Sequence, residues 1–290
     1  MAKLDFVDTH VHFWDLKNPN IQYRWLEPGA RHAALGEHLK RLKGKDYPVE
    51  QYLAETRASN VVAVVHVQAA VGTNDPVKET EWLQSLAGRT GFPQAIIAHA
   101  DLKAPDVERV LERHCAFPNM RGIRDLSLGG SLGDPAAQRG FALLGKYKLI
   151  AVVNTTYPEY PKLLGLARGY PDVRVVLDHC GRPEKRTPEY FRGWKRGLET
   201  LAQAENVLCK ISGLAEAPHI MTLESFRPWV LACIETFGPA RCTFGSNFPV
   251  DRLFGTYDTL MDAYTQIVSG FTPAEQKAMF SGNAKKLYRM

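Results

Sequence analysis

Eight short β-branched runs alternate with longer amphipathic segments along 290 residues, and this predicts an α/β fold, a closed (β/α)₈ TIM barrel. Two further observations agree. No Ser/Gly linker, repeat or low-complexity tract divides the chain, so residues 1–290 read as one domain. Potentially reactive side chains also fall at the ends of the runs, where a barrel gathers them at one mouth. A doubly wound open sheet is the alternative arrangement of the same alternation.

The predicted strands span residues 4–9, 61–68, 95–101, 122–125, 149–154, 173–178, 207–212 and 242–245. Most are rich in Val, Ile or Leu, as strands covered on both faces tend to be. Helical periodicity fills 49–59, 76–90, 105–116, 135–146, 158–169, 188–205, 222–237 and 256–288. The last region is expected to hold two helices, with Thr272 as N-cap and Pro273 in the first turn of the second. A long irregular stretch, about 13–47, follows the first strand. Loops of this length are commonly functional. It reads either as a loop anchored by its aromatics or as a lid supplying aromatic walls and a basic group.

Composition narrows the class. The chain is 45% hydrophobic and 23% charged, with a net charge of +5. No Lys/Arg run is interleaved with aromatics, which argues against nucleic acid and leaves a mild leaning to anionic small molecules. The five cysteines are scattered without a CxxC pair, as expected of reduced thiols in a cytoplasmic protein. No apolar leader core and no stretch of membrane-spanning length is present, so no membrane partner is expected. A homo-oligomer is left open.

The chemistry begins at the first strand, which ends Asp8-Thr9-His10-Val11-His12. Alternation puts His10 and His12 on one face, where two imidazoles can hold a metal ion or polarise a carbonyl. An HxH pair alone is weak evidence. The sixth strand strengthens it by ending at Asp178-His179, with Gly181, Arg182 and Pro183 turning the chain. The fourth ends Arg124-Asp125, the second His66-Val67-Gln68 and the third His99-Ala100-Asp101. The seventh carries Lys210 and Ser212, and the eighth runs Gly245-Ser246-Asn247-Phe248-Pro249-Val250-Asp251. His66, within a valine strand, reads better as a hydrogen-bonded core histidine. Arg124, Asp125 and Lys210 could equally be salt-bridge partners, and Asp101 a helix cap. No GxSxG elbow, Walker loop or Rossmann glycine pattern occurs.

Asp8-Thr9-His10-Val11-His12-Phe13-Trp14-Asp15, Leu177-Asp178-His179-Cys180-Gly181-Arg182-Pro183 and Gly245-Ser246-Asn247-Phe248-Pro249-Val250 together resemble the amidohydrolase-related family. The likeness is strongest to its sugar-lactonase, pyrone-dicarboxylate lactonase and sulfomuconolactone hydrolase branch, and it extends to Asn283-Ala284-Lys285-Lys286-Leu287-Tyr288. The resemblance implies a hydrolase opening a small polar or anionic lactone. Water would attack a carbonyl polarised by His10, His12 and His179, directly or through one divalent metal (Zn²⁺) held by those histidines. Arg124 would clamp an anionic group with its planar fork. Trp14, Gln68, Asp101, Arg182 and Lys210 are further candidates for substrate binding. The alternative on the same scaffold is metal-dependent non-oxidative decarboxylation of an aromatic acid.

One position departs from the family pattern. Many relatives place an aspartate base where this chain has Asn247, and an amide takes no proton at neutral pH. Asp251, Asp101 and Asp125 are the replacement bases the sequence offers, and Asn247 would retain a role in positioning water. Arg124-Asp125 also stands where two-metal relatives carry a bridging lysine or glutamate, which argues against a binuclear centre.

Overall fold

The computed structural model describes residues 4–290. Eight parallel strands follow one another in chain order: β1 (Phe6–Val11), β2 (Val61–Val67), β3 (Ala95–Ala98), β4 (Met120–Ile123), β5 (Ile150–Val153), β6 (Val175–Leu177), β7 (Val207–Ile211) and β8 (Cys242–Phe244). The seam between β8 and β1 is bridged just beyond the strand ends. Asn247 N–H donates to His10 O at 2.8 Å and His12 N–H to Phe248 O at 2.9 Å. This is the (β/α)₈ barrel expected from the alternation, and the open-sheet alternative is excluded.

Helices follow the strands: α1 (Val49–Thr56), α2 (Val77–Thr90), α3 (Val107–Cys115), α4 (Pro135–Lys146), α5 (Tyr160–Gly169), α6 (Pro188–Leu201), α7 (Leu223–Phe237) and α8 (Tyr257–Ile267). Their starts obey simple capping chemistry. Asp134, Thr187, Thr222 and Thr256 each accept a first-turn N–H, and proline opens α4 and α6. The tail begins as expected, with Thr272 capping α9 (Pro273–Lys277) in a reciprocal box with Glu275. It then differs. A π-type turn (Ala278–Gly282) connects α9 to α10 (Asn283–Tyr288), so the segment read as the second helix changes winding midway.

Strand residues alternate between two apolar layers. Phe6, Val64, Ile96, Val175 and Leu177 pack outward into the helical shell. Val7, Ala63, Val65, Val67, Ile97, Ile150, Val152 and Val176 fill the lumen, and Ala284 and Tyr288 of α10 close it from below. The lower barrel is therefore a packed apolar plug, which holds the strands rigid beneath the mouth.

Strand limits move by at most three residues from the sequence reading, and β2, β3, β7 and β8 begin where expected. β6 is shorter than predicted because the chain leaves the ladder at Asp178, and β3 stops at Ala98, leaving His99 and Asp101 in a loop. The 13–47 stretch is wound around two short 3₁₀ turns, Arg24–Leu26 and Gly36–Arg41. Trp14, Tyr23, Leu26, Leu39 and Tyr47 are buried as its anchors. Lys43 donates to Pro28 O and Ala30 O, so this lysine ties the loop to itself. Among the described residues, no helix is long and apolar enough to cross a membrane, and all five cysteines are free.

Candidate active site

Val7 faces the lumen, so strict alternation would turn His10 outward. The β1–β2 register shifts between Asp8 and Val11, and this irregularity brings His10 inside. Asp8 fixes the shift from the other side. Its carboxylate accepts from Tyr52 Oη at 2.9 Å, Tyr257 Oη at 3.0 Å and Ser246 N–H at 2.8 Å, stapling β1 to two helices and the β8 exit. An added Cβ at Gly245 would stand 2.8 Å from His10 Cβ, so only glycine lets β8 approach this closely.

Both β1 imidazoles have their Nδ1 atoms committed. His12 Nδ1 lies 2.7 Å from Val67 O and His10 Nδ1 3.1 Å from Asp178 Oδ1. A carbonyl and a carboxylate can only accept, so both Nδ1 atoms carry the proton. The two Nε2 lone pairs then face each other across 3.1 Å, an arrangement a shared cation relieves. Burial pulls both imidazoles well below the usual histidine range. Arg124 and His66 add to the effect at His12, and Asp178 opposes it at His10.

Asp178 organises the mouth and was not singled out from the sequence. It is fully buried. Its oxygens lie 3.3 Å from Lys210 Nζ, 3.5 Å from Arg124 Nη1 and 3.6 Å from His179 Nε2, besides the His10 contact. Burial pushes its carboxyl upward, but His179, Lys210 and His10 outweigh that and hold it well below the ordinary range. Its signal was available: a carboxylate ending an apolar run one residue before a candidate histidine.

His179 reaches the mouth through a strained turn. His179, Cys180, Gly181 and Arg182 all have positive φ, from 48° to 67°, a region that costs about 1–2 kcal/mol for each L-residue bearing a side chain. His179 Nδ1 lies 2.9 Å from Ser212 Oγ at the end of β7. Gly213, at φ 63°, passes so close that a Cβ there would stand 2.4 Å from that nitrogen.

Asn247 also has positive φ, 58°, which asparagine tolerates better than most residues. Its side-chain amide donates to Asp251 Oδ1 at 2.8 Å and to Glu216 Oε1 at 2.7 Å. Asp251 is fully buried, and burial together with the Glu216 charge raises its carboxyl well above the usual value. Glu216 lies in the loop after β7, where neither periodicity nor a motif marked it.

A cavity of about 750 Å³ opens over these groups. His12, His179, Arg124, Gln68, Arg182 and Asn247 line it, so these sequence candidates converge. Others do not reach it. Trp14 is buried behind the wall, with Nε1 donating to Lys45 O, and Trp25 of the same loop takes the cavity position. Lys210 is entirely enclosed beside Asp178, and Asp251 stands behind Asn247. Asp101 is exposed on an adjoining cavity, where it accepts from Lys103 N–H. Asp125 is occupied by Leu102 and Ser127 N–H groups. Arg124 is partly spent as well: Nε and Nη2 donate to Gln68, leaving Nη1 with only a 3.5 Å contact. His66 is a buried core histidine: its Nδ1 accepts from Phe13 N–H at 3.1 Å, and its Nε2 lies 3.5 Å from Glu79 Oε1. The 13–47 loop is both anchor and wall, since Trp25 and His32 face the cavity.

The amidohydrolase family model matches residues 7–290. The chain belongs to the amidohydrolase family. An uncharacterized protein of Sinorhizobium fredii is 37% identical to this amidohydrolase over the whole of both chains. An L-fucono-1,5-lactonase of Burkholderia ambifaria is 28% identical, covering 98% of this chain and 95% of its own. A solved amidohydrolase of Burkholderia multivorans with bound zinc superposes with a TM-score of 0.83 at 26% identity, both chains being fully covered. The protein is thus an amidohydrolase-superfamily hydrolase of the lactonase-like branch.

Divalent metal is typical of this superfamily, and the donor chemistry here can be tested for it. His10, Asp178 and His179 offer ligand atoms within 4.8 Å of one another, and His12 adds the facing lone pair. Two nitrogens each about 2.0–2.1 Å from a tetrahedral ion sit roughly 3.3 Å apart, close to the His10–His12 separation. By that measure the His10–His12 pair fits one ion, and Asp178, 3.1 Å from His10 Nδ1, orients that ring from behind.

Proposed function

We infer that this amidohydrolase is a lactonase, opening the ester bond of a small polyhydroxylated lactone to the hydroxy acid. The observation that carries the reading is the convergence of His12, His179, Arg124 and Asn247 on one cavity from the ends of four different strands. The substrate class is supported by two things. The related Burkholderia ambifaria protein is an L-fucono-1,5-lactonase. The cavity also mixes Arg124, Arg182, His32 and His219 with Glu184 and Glu216, so it offers hydrogen bonds of both polarities and suits a hydroxylated ring better than a highly charged one.

The substrate carbonyl points at the His12–His179 side of the cavity. A divalent metal such as zinc would be held by His10, His12 and His179 and would supply Lewis-acid polarisation of that carbonyl. Asp178 fixes the tautomer and direction of His10. Arg124 Nη1 and Gln68 hold the ring oxygens. Trp25 and the 13–47 loop limit water access.

Turnover of a panel of aldono-1,5-lactones, a carboxylated lactone and hydroxybenzoates tests the reading. Acid release from the sugar lactones is expected. Carbon dioxide release from a hydroxybenzoate, with every lactone untouched, would falsify it. Non-oxidative decarboxylation, the alternative raised by the sequence, requires a tightly bound metal and draws no support from the relatives described above. Within the lactonase reading, His179→Ala should lower kcat by about 10²–10³-fold, the scale of one lost oxyanion partner, with the fold retained by circular dichroism.

A further inference from the structure

The family resemblance puts an aspartate base, in many relatives, where this chain has the amide Asn247, so the proton acceptor has to be found elsewhere. The other carboxylates near the mouth are accounted for. Asp8 is saturated by two tyrosines and backbone N–H groups, and Asp178 is enclosed with Lys210 and His10. Asp125 caps backbone N–H groups, Asp101 faces a different cavity and Asp251 has no access to this one. Glu184 lines the cavity but is paired with Arg182 at the exposed rim.

Glu216 differs from all of them. It is half-buried, lines the cavity shared by His12, His179 and Arg124, and is tied by Asn247 to the end of β8. The loop that carries it, Ser212 to Glu216, is the one whose Ser212 and Gly213 pack on the His179 ring. The two hydrogens of the Asn247 amide are divided between Glu216 and Asp251. An aspartate at 247 would set three carboxylates side by side, and asparagine is what joins the other two.

We propose that Glu216 is the general base of the hydrolysis, held at the cavity wall by Asn247, which Asp251 braces from behind. The proposal rests on the lactonase reading above. Glu216 takes one proton from water as the water oxygen forms a bond to the lactone carbonyl carbon. The ring C–O bond then breaks, and Glu216 returns the proton to the departing ring oxygen. Lactone and water become the hydroxy acid, and the carboxylate is regenerated.

Steady-state kinetics on one sugar lactone test this, with product binding by calorimetry alongside. Gln at 216 can still accept from Asn247, so Glu216→Gln removes basicity while keeping the contact. Its kcat should fall by about 10²–10⁴-fold, with KM and hydroxy-acid affinity changed only slightly. Glu216→Ala should be equally slow and should regain turnover with added formate, which replaces the missing carboxylate. Asn247→Asp should lose activity. If Glu216→Gln keeps near-normal kcat while His179→Ala does not, the base is elsewhere and the lactonase reading stands. If Glu216→Ala ignores formate, or Asn247→Asp gains activity, the proposal is overturned. If the wild-type protein opens no lactone, the reading and the proposal fall together.

Discussion

Val176 of β6 and Asp178, the first residue beyond that strand, are two residues apart, yet their surroundings have almost nothing in common. Val176 belongs to the apolar plug with Val65, Ile97, Ile150 and Val152. Asp178 sits one layer higher among Lys210, Arg124 and His10. Both are fully buried. The plug gains stability from each apolar side chain removed from water, about 1.5–3 kcal/mol apiece. The layer above it gains little, because burying ions costs about as much as pairing them returns. The lower half is therefore built for stability and the upper half for holding charges in fixed positions, and the two should fail differently.

The largest effect is expected at Asp178. Asp178→Asn leaves Lys210 and Arg124 as buried cations without their anion, which should cost about 3–5 kcal/mol in urea unfolding. Turnover should also collapse as His10 loses its orienting carboxylate. Adding Lys210→Met removes the nearer of the two stranded charges and should recover part of the stability but none of the turnover. Recovery of both in the double variant would break the division between the two layers.

Ile97→Ala, in the plug, should do the opposite. A buried Ile→Ala change costs about 2–5 kcal/mol, the cavity included. The folded fraction should keep nearly normal kcat, since the change trims only a side chain of the plug and keeps the Ile97 O that accepts from Gln68 N–H at 2.8 Å. A large kcat loss well below the unfolding transition would show that the plug sets mouth geometry more directly than rigidity alone requires.

A third test uses pH. His114, buried between α2 and α3, shares a hydrogen bond with Thr80 Oγ1 at 2.9 Å and lies 3.0 Å from His99 O. Burial pulls its imidazole down to about 4. The unfolded chain, near 6.5, then binds more protons than the native one between these values. The contribution is complete above pH 6.5, declines as pH falls, and levels off below pH 4. The full span is at most about 3 kcal/mol. His10 and His12 are lowered in the same direction, so His114→Gln should flatten the stability–pH slope in part. An unchanged slope would place the acid sensitivity entirely in the mouth.

The same contrast explains what could be read from the sequence. The plug and the helical shell follow period 2 and period 3.6, so the order of strands and helices was legible from Val61–Val67, Val207–Ile211 and their like. The histidines were legible because they end apolar runs. The rest depends on geometry with no periodic signature. Trp14 and Trp25 are both in the 13–47 loop, and only folding decides that Trp25 faces the cavity. Asn247 gave notice of a missing carboxylate, but Glu216 arrives from a loop 31 residues earlier in the chain. The register shift that turns His10 inward is equally invisible to alternation, which placed His10 and His12 together without showing that β1 must slip for them to face inside.

The smallest effect sharpens the role of burial. Lys146 Nζ lies 2.5 Å from Glu108 Oε1, the same ammonium–carboxylate chemistry as Lys210 and Asp178 at 3.3 Å. By distance alone the first pair is the closer. It joins α3 to α4 at the surface, with side chains 60% and 45% exposed, whereas the second is wholly enclosed. In water each ion of the surface pair is nearly as well solvated apart as together, and holding two long side chains costs entropy. Lys146→Ala should therefore leave Tm and kcat indistinguishable from wild type, at low salt as well as high. Lys210→Ala should be destabilising at every salt concentration, because it leaves the Asp178 carboxylate buried with one cation fewer and salt does not screen the interior. A measurable, salt-sensitive Tm loss in Lys146→Ala would mean that the outer shell also relies on fixed charge, and burial would no longer separate the two kinds of pair.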